Sequence, residues 1–131
     1  SYMARAWALF RKVHGARVGV VGTFGGFFTY PLYGPDGSNR VQYIAQRGPH
    51  GSFTSITSCP AWRAAVNAGH YRYLVTTPAR DPWHPKQLSR SPEREWTASD
   101  PAAHVIYTRR AKGQPITVFE LDGPLQPATC S

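Results

Sequence analysis

The side chains able to do acid, thiol or ligand chemistry are few enough to be weighed singly. Residues 1–80 carry nine basic groups (Arg5, Arg11, Lys12, Arg17, Arg40, Arg47, Arg63, Arg72 and Arg80) and one acid, Asp36. Asp36 lies in Tyr30-Pro31-Leu32-Tyr33-Gly34-Pro35-Asp36-Gly37-Ser38-Asn39-Arg40, close to Tyr33, Asn39 and Arg40. Those four residues have the chemistry of a small anion or sugar site. Arg40 can grip a phosphate or carboxylate with two parallel bonds, Asp36 and Asn39 can hold hydroxyls, and Tyr33 can stack on a ring face. The same residues also fit a plain turn, in which Asp36 and Asn39 cap the backbone and Arg40 pairs weakly with Asp36 at the surface. The loop is expected beside the C-terminal end of the first strand, where open α/β sheets lodge ligands.

Other chemistries find less support. Glu93 and Glu95 are the nearest paired carboxylates, and their charged, Pro-flanked context predicts a solvated turn. There is no GxSxG elbow, and Cys59 has no protease-like surroundings. Gly22, Gly25 and Gly26 have the wrong spacing for a dinucleotide fingerprint. No CxxC occurs, and His14, His50, His70, His84 and His104 show no paired spacing, so neither metal nor cofactor is expected. The net charge of +8 favours anionic partners. The positive charges are scattered singly, however, and Tyr43, Tyr71, Tyr73, Phe119 and Trp62 fall at core-type positions. Few aromatics are left to stack on bases, so a nucleic-acid partner is not expected.

Cys59 and Cys130 are the only cysteines. Cys130 lies in the polar tail Gln126-Pro127-Ala128-Thr129-Cys130-Ser131, where a free thiol has no packing role. A Cys59–Cys130 disulfide would tie that tail to the body, and it implies an oxidising, extracytoplasmic compartment.

The elements that must position these groups can be read from periodicity and punctuation. Ala4 to Val13 has apolar residues at helical spacing and ends at His14-Gly15. Arg17 to Gly22 (RVGVVG) is a short apolar strand of the buried α/β kind. The stretch after it, from Thr23, reads as an aromatic-rich loop packed across a sheet edge. Val41 to Ala45 alternates as a strand, and residues 46–58 form a loop. Ser58-Cys59-Pro60 opens a helix, with Trp62, Ala65 and Val66 inward and Gly69 at its C-terminal stop. Tyr71 to Thr77 is a strand, so 41–77 reads as a βαβ unit with its two strands paired in parallel. Residues 78–101 form a Pro-punctuated excursion with a helical turn at Glu93-Arg94-Glu95-Trp96. His104–Thr108 and Ile116–Leu121 flank a hairpin turn. The fold class expected is α/β, with a Rossmann-like mixed, mainly parallel sheet of about five strands and a C-terminal β-hairpin.

A chain of 131 residues with 41% hydrophobic content suits one soluble α/β domain over 1–131 and excludes a disordered tail. No apolar run approaches the ~20 residues that span a bilayer. The opening residues form no signal peptide, and the chain is expected to be a piece of a larger protein.

Several stretches together carry a resemblance. They are Tyr30 to Asp36 with Ser38-Asn39-Arg40-Val41; Cys59-Pro60-Ala61-Trp62 running to Ala68-Gly69; and Tyr73-Leu74-Val75-Thr76-Thr77-Pro78. Trp96-Thr97-Ala98, Asp100-Pro101-Ala102-Ala103 and Val118-Phe119-Glu120-Leu121 extend it. The chain resembles, over about residues 4–130, the C-terminal soluble domain of actinobacterial polytopic membrane proteins of the GT-C glycosyltransferase type, which use polyprenyl-phosphate sugars as donors. The resemblance implies an accessory domain at the extracytoplasmic face of the cell membrane, beside its own transmembrane region and without turnover of its own. It also implies an anionic lipid-linked sugar or cell-wall glycan as ligand. Catalytic acids of that type lie in the membrane region, so none is carried over. The alternative is a ligand- or polymer-binding extracellular domain of a membrane protein that is not a transferase.

Overall fold

The computed structural model describes residues 8–22, 30–81, 84–89, 91–111 and 114–130. Nine strands and two α-helices are described: β1 (Arg17–Val21), β2 (Arg40–Tyr43), β3 (Gln46–Arg47), β4 (Phe53–Thr54), α1 (Cys59–Gly69), β5 (Tyr73–Thr76), β6 (Ala79–Asp81), β7 (His84–Ser89), α2 (Pro92–Ala98), β8 (Ala103–Ala111) and β9 (Gln114–Leu121). Five strands form one mixed sheet in the order β2-β1-β5-β9-β8, while β3-β4 and β6-β7 are separate two-stranded ladders. β1 pairs in parallel with both β2 and β5, and β5-β9 and β9-β8 are antiparallel. The mixed α/β class and the C-terminal hairpin are therefore present, with the parallel character in the N-terminal half.

The 41–45 and 71–77 strands run parallel in one sheet, as the βαβ reading expects, but they do not pair with each other. β1 lies between them. Its Val18 and Val20 pack on one face and Val21 on the other, so it gains most where both edges and both faces are covered. β2 is largely exposed and takes the edge.

Alternation divides the core into two layers. Val18, Val20, Tyr73, Val75, Ile116 and Val118 face Phe10 and Leu32 from short 3-10 turns at Phe10–Lys12 and Tyr30–Tyr33. Val21, Leu74 and Phe119 face Trp62 and Val66 of α1, with Ile44, Ile56 and Leu125 filling the rim. The opening helix is described only from Ala8, where the chain is helical before tightening into the 3-10 turn. Residues 4–7 lie outside the described residues, as do 23–29, where an aromatic-rich loop is expected, Pro82-Trp83 and Lys112-Gly113.

Ser58 caps α1, its Oγ accepting from the Ala61 N–H at 3.3 Å, and Pro60 sits in the first turn. The left-handed stop falls on His70 (φ 52°), one residue beyond the expected Gly69. Gly69 is required for another reason: a Cβ there would run into the Tyr71 ring. The second helix is fuller than the expected turn, seven residues from Pro92 to Ala98.

A disulfide joins Cys59 and Cys130, with Cα atoms 6.0 Å apart. Beside it Arg63, 1% exposed, is buried on α1. Its guanidinium donates to the Trp96 carbonyl (3.0 Å), Ser99 Oγ (2.9 Å), the Gln126 carbonyl (2.9 Å) and Thr129 Oγ1 (3.1 Å). Asp100, 2% exposed, lies 3.4 Å away and accepts from the N–H groups of Ala102 and Gln126. Replacing Arg63 by Met keeps the volume and leaves the Asp100 carboxylate buried without its cation. Urea unfolding of Arg63→Met should show a loss of about 3–5 kcal/mol. A loss under ~1 kcal/mol would mean that the pair holds little together.

Candidate functional site

The 30–40 loop lies at the other end of the sheet from the one expected. The register Arg17↔Arg40 puts it against the N-terminal end of β1. A strand parallel to its predecessor must begin where that one began, so residues just before β2 are carried back to the starting end. Tyr33 and Arg40 are exposed there, and Arg40 donates its backbone N–H to the Ala16 carbonyl at 2.8 Å. Asn39 is 2% exposed and fully engaged: Oδ1 accepts from the Ala16 N–H (2.9 Å), and Nδ2 donates to the Val13 (2.8 Å) and Leu32 (3.0 Å) carbonyls. Asp36 accepts from the Ser38 N–H at 3.1 Å, and its Oδ2 lies 3.1 Å from His14 Nδ1. The loop thus clasps residues 13–16, with Asn39 turned inward, away from Tyr33 and Arg40.

Residues that follow the parallel strands gather at the opposite end. Gly22 after β1, Ile44 and Ala45 after β2, and Ala79 after β5 border a cleft of about 540 Å³ with Ser55, Thr57, Ser91, Glu93 and Trp96. The end where α/β sheets lodge ligands is therefore occupied by a cleft, built from other residues than those singled out by sequence. Gly22 needs its freedom here: φ is +99°, and a Cβ would strike the Thr77 carbonyl.

Tyr43, at the end of edge strand β2, opens onto the cleft and is 47% exposed, not a core residue as its alternation suggested. Partial burial pushes its phenol pKa up, so it stays a neutral hydrogen-bonding group. Trp96, half-buried, borders the cleft from α2. Its position is fixed by the Arg63 bond to its carbonyl and, one residue on, by Thr97. The Thr97 hydroxyl accepts from the Trp62 indole N–H (2.9 Å) and donates to the Glu93 carbonyl (2.7 Å). Glu93 is 6% exposed, and the Ser91 hydroxyl donates to its Oε2 at 2.5 Å. The solvated turn expected of Glu93 and Glu95 holds for Glu95 alone, which is exposed and accepts from Arg94. Helical spacing explains the split: in a real helix Glu93 shares a face with Thr97 and Trp96, while Glu95 points away.

A second hollow of about 480 Å³ lies between the end of α1 and residues 121–124. The amide of its lining residue Asn67 is taken by Leu125, through bonds of 2.8 and 2.7 Å, and His70, Arg72 and Asp122 also border that hollow. Among the described residues no group of three or more His, Cys, Asp or Glu side chains comes together as a metal centre needs. Among them, too, no helix is long and apolar enough to cross a membrane. Comparison with protein families, curated proteins and solved structures returns no match.

Asp36 offers a check on the 30–40 loop. Hydrogen bonds from the Ser38 hydroxyl and backbone N–H, with His14 adding to them, lower its pKa from 3.8 to about 2. The folded state thus holds the proton less tightly than the unfolded chain. The stabilisation is complete above pH 3.8 and is lost as pH falls through about 2. Carboxyl NMR titration should find the Asp36 midpoint near 2, and Ser38→Ala should return it toward 3.8. An unchanged midpoint in the variant would break the assignment.

Proposed function

We propose that this chain is an accessory, non-catalytic domain of a membrane-bound glycosyltransferase that uses polyprenyl-phosphate sugars. On this reading it stands at the extracytoplasmic face and holds a glycan in the cleft at the C-terminal ends of β1 and β2. The observation that carries the binding role is the lining itself: Tyr43 and Trp96 offer aromatic surface beside the buried Glu93 carboxylate and the Ser55, Thr57 and Ser91 hydroxyls. Aromatic surface with a few fixed polar groups is how concave sites hold amphipathic ligands such as sugars. Glu93 is the one carboxylate among the described lining residues, whereas glycoside hydrolysis employs two flanking the bond. The lining therefore suits reversible binding better than turnover. The Cys59–Cys130 disulfide is consistent with an oxidising compartment.

The test is glycan binding by calorimetry against neutral cell-wall oligosaccharides. Tyr43 is exposed on an edge strand, so Tyr43→Ala should fold with a Tm near that of the unmodified protein. Loss of an aromatic anchor should weaken binding by about 2 kcal/mol, roughly thirtyfold. Equal affinity in Tyr43→Ala would remove the cleft from consideration. Expression with the upstream segment of the parent gene decides the transferase reading: a soluble upstream domain defeats it in favour of a binding domain of another kind.

A further inference from the structure

α2 has a second flank, and it is chemically unlike the first. Between α2 and the β8-β9 hairpin lies a hollow of about 350 Å³ lined by Arg94, Thr108, Arg109, Arg110 and Pro115. We infer that this arginine hollow is a binding site for a phosphate ester group, carried by a small soluble molecule or by a lipid headgroup.

Arg94 is held in place from below. Its Nε donates to Thr117 Oγ1 at 2.9 Å, and Thr117 is fully buried on β9. The Thr117 hydroxyl also lies 3.2 Å from Thr108 Oγ1 on β8, so one buried oxygen laces α2 to both hairpin strands. The Arg94 side chain keeps 24% of its surface, and its Nη1 bonds Glu95 on the solvent side at 3.0 Å. Arg109 and Arg110 are exposed on β8, opposite Ile116 and Pro115. β8 is an edge strand of the sheet.

Three arginines thus line one hollow, Arg94 already paired with Glu95 on its solvent side, and no carboxylate is among the described residues that line it. Cationic side chains bordering one hollow favour an anion seated there. Guanidinium forks match the oxygens of phosphate in parallel pairs, and a tetrahedral oxyanion with up to two charges can meet more than one fork at once. A single planar carboxylate would meet fewer. Thr108 adds a neutral polar residue to the same lining. An Arg anchored through a buried hydroxyl loses less freedom on binding than a solvated one. This site does not depend on the glycan cleft: it stands on other residues and on another ligand chemistry.

Two probes separate the sources. Glycerol 3-phosphate, followed by calorimetry, reports a soluble ester. Co-sedimentation with phosphatidylcholine vesicles, with and without phosphatidylglycerol, reports a headgroup. Arg109→Ala/Arg110→Ala removes two exposed side chains and should fold normally. It should weaken the probe that binds by tenfold or more. Thr117→Val, which frees Arg94 without removing charge, should weaken the same probe severalfold while circular dichroism and Tm confirm folding. The charge-matched control is Arg17→Ala/Arg40→Ala, on the strands at the far side of the sheet, which should leave binding within about twofold. Binding of neither probe overturns the site. So does an equal loss in the control pair, or a single-stranded oligonucleotide that binds more tightly than either probe and depends on Arg40; each of those would assign the affinity to the whole basic surface.

Discussion

A buried guanidinium holds this fold in register. Arg63 enters from the middle of α1 and binds the end of α2, the residues after it and the C-terminal tail, segments 33 to 66 residues distant in sequence. Burying a charge costs several kcal/mol in desolvation, and the cost is offset only when the ion is paired and its donors are filled. Both conditions are met here. Asp100 neutralises Arg63, and its own oxygens are filled by the N–H groups of Ala102 and Gln126. Because the guanidinium is planar and always charged, its forks admit few arrangements of the surrounding carbonyls. A hydrophobic residue of equal volume would fill the space without dictating where Trp96, Ser99 and Gln126 must lie.

The disulfide acts with this cluster. Cys59 starts α1 four residues before Arg63, and Cys130 follows Thr129, whose hydroxyl Arg63 reaches. The tail is therefore held twice, by a covalent bond that limits the unfolded chain and by a hydrogen-bonded charge that specifies the folded one. Leu125 seals the same region from within the second core layer, with the Asn67 amide closing on its backbone in both directions.

Legibility in the sequence follows from how local each cause is. β1, α1, β5 and the hairpin were readable because alternation, a Ser-Cys-Pro start and a β-branched run act over a few residues. The disulfide was readable because a cysteine in a polar tail has few other uses. The insertion of β1 between β2 and β5 was not, since it reflects competition among strands for the sheet centre. Arg63 reads as an ordinary solvated helix residue, and nothing within a turn of it announces Asp100. Glu93 reads as a solvated turn residue for a related reason, because its burial depends on α2 lying on α1 through Thr97 and Trp62. The placement of Tyr33, Asp36, Asn39 and Arg40 was legible in principle. Once β2 runs parallel to β1, residues preceding it belong at the starting end, and the far end falls to Gly22, Tyr43, Ile44 and Ala45.

Seven residues are too few for a helix to persist in water unaided, so α2 exists by virtue of its contacts. Three of them come from two elements: Arg63 on the Trp96 carbonyl and Trp62 through Thr97, both from α1, and Thr117 of β9 on Arg94. The same three contacts decide what the helix presents to solvent. The first two fix the flank that brings Trp96 and Glu93 to the cleft, and the third fixes the flank that brings Arg94 to the arginine hollow. Neither flank can shift without straining the anchor of the other, because a single short helix carries both. Whatever loosens the Arg63–Asp100 pair or the Cys59–Cys130 bond must therefore reach both surfaces together, although Arg63, Asp100 and the two cysteines border neither the cleft nor the arginine hollow.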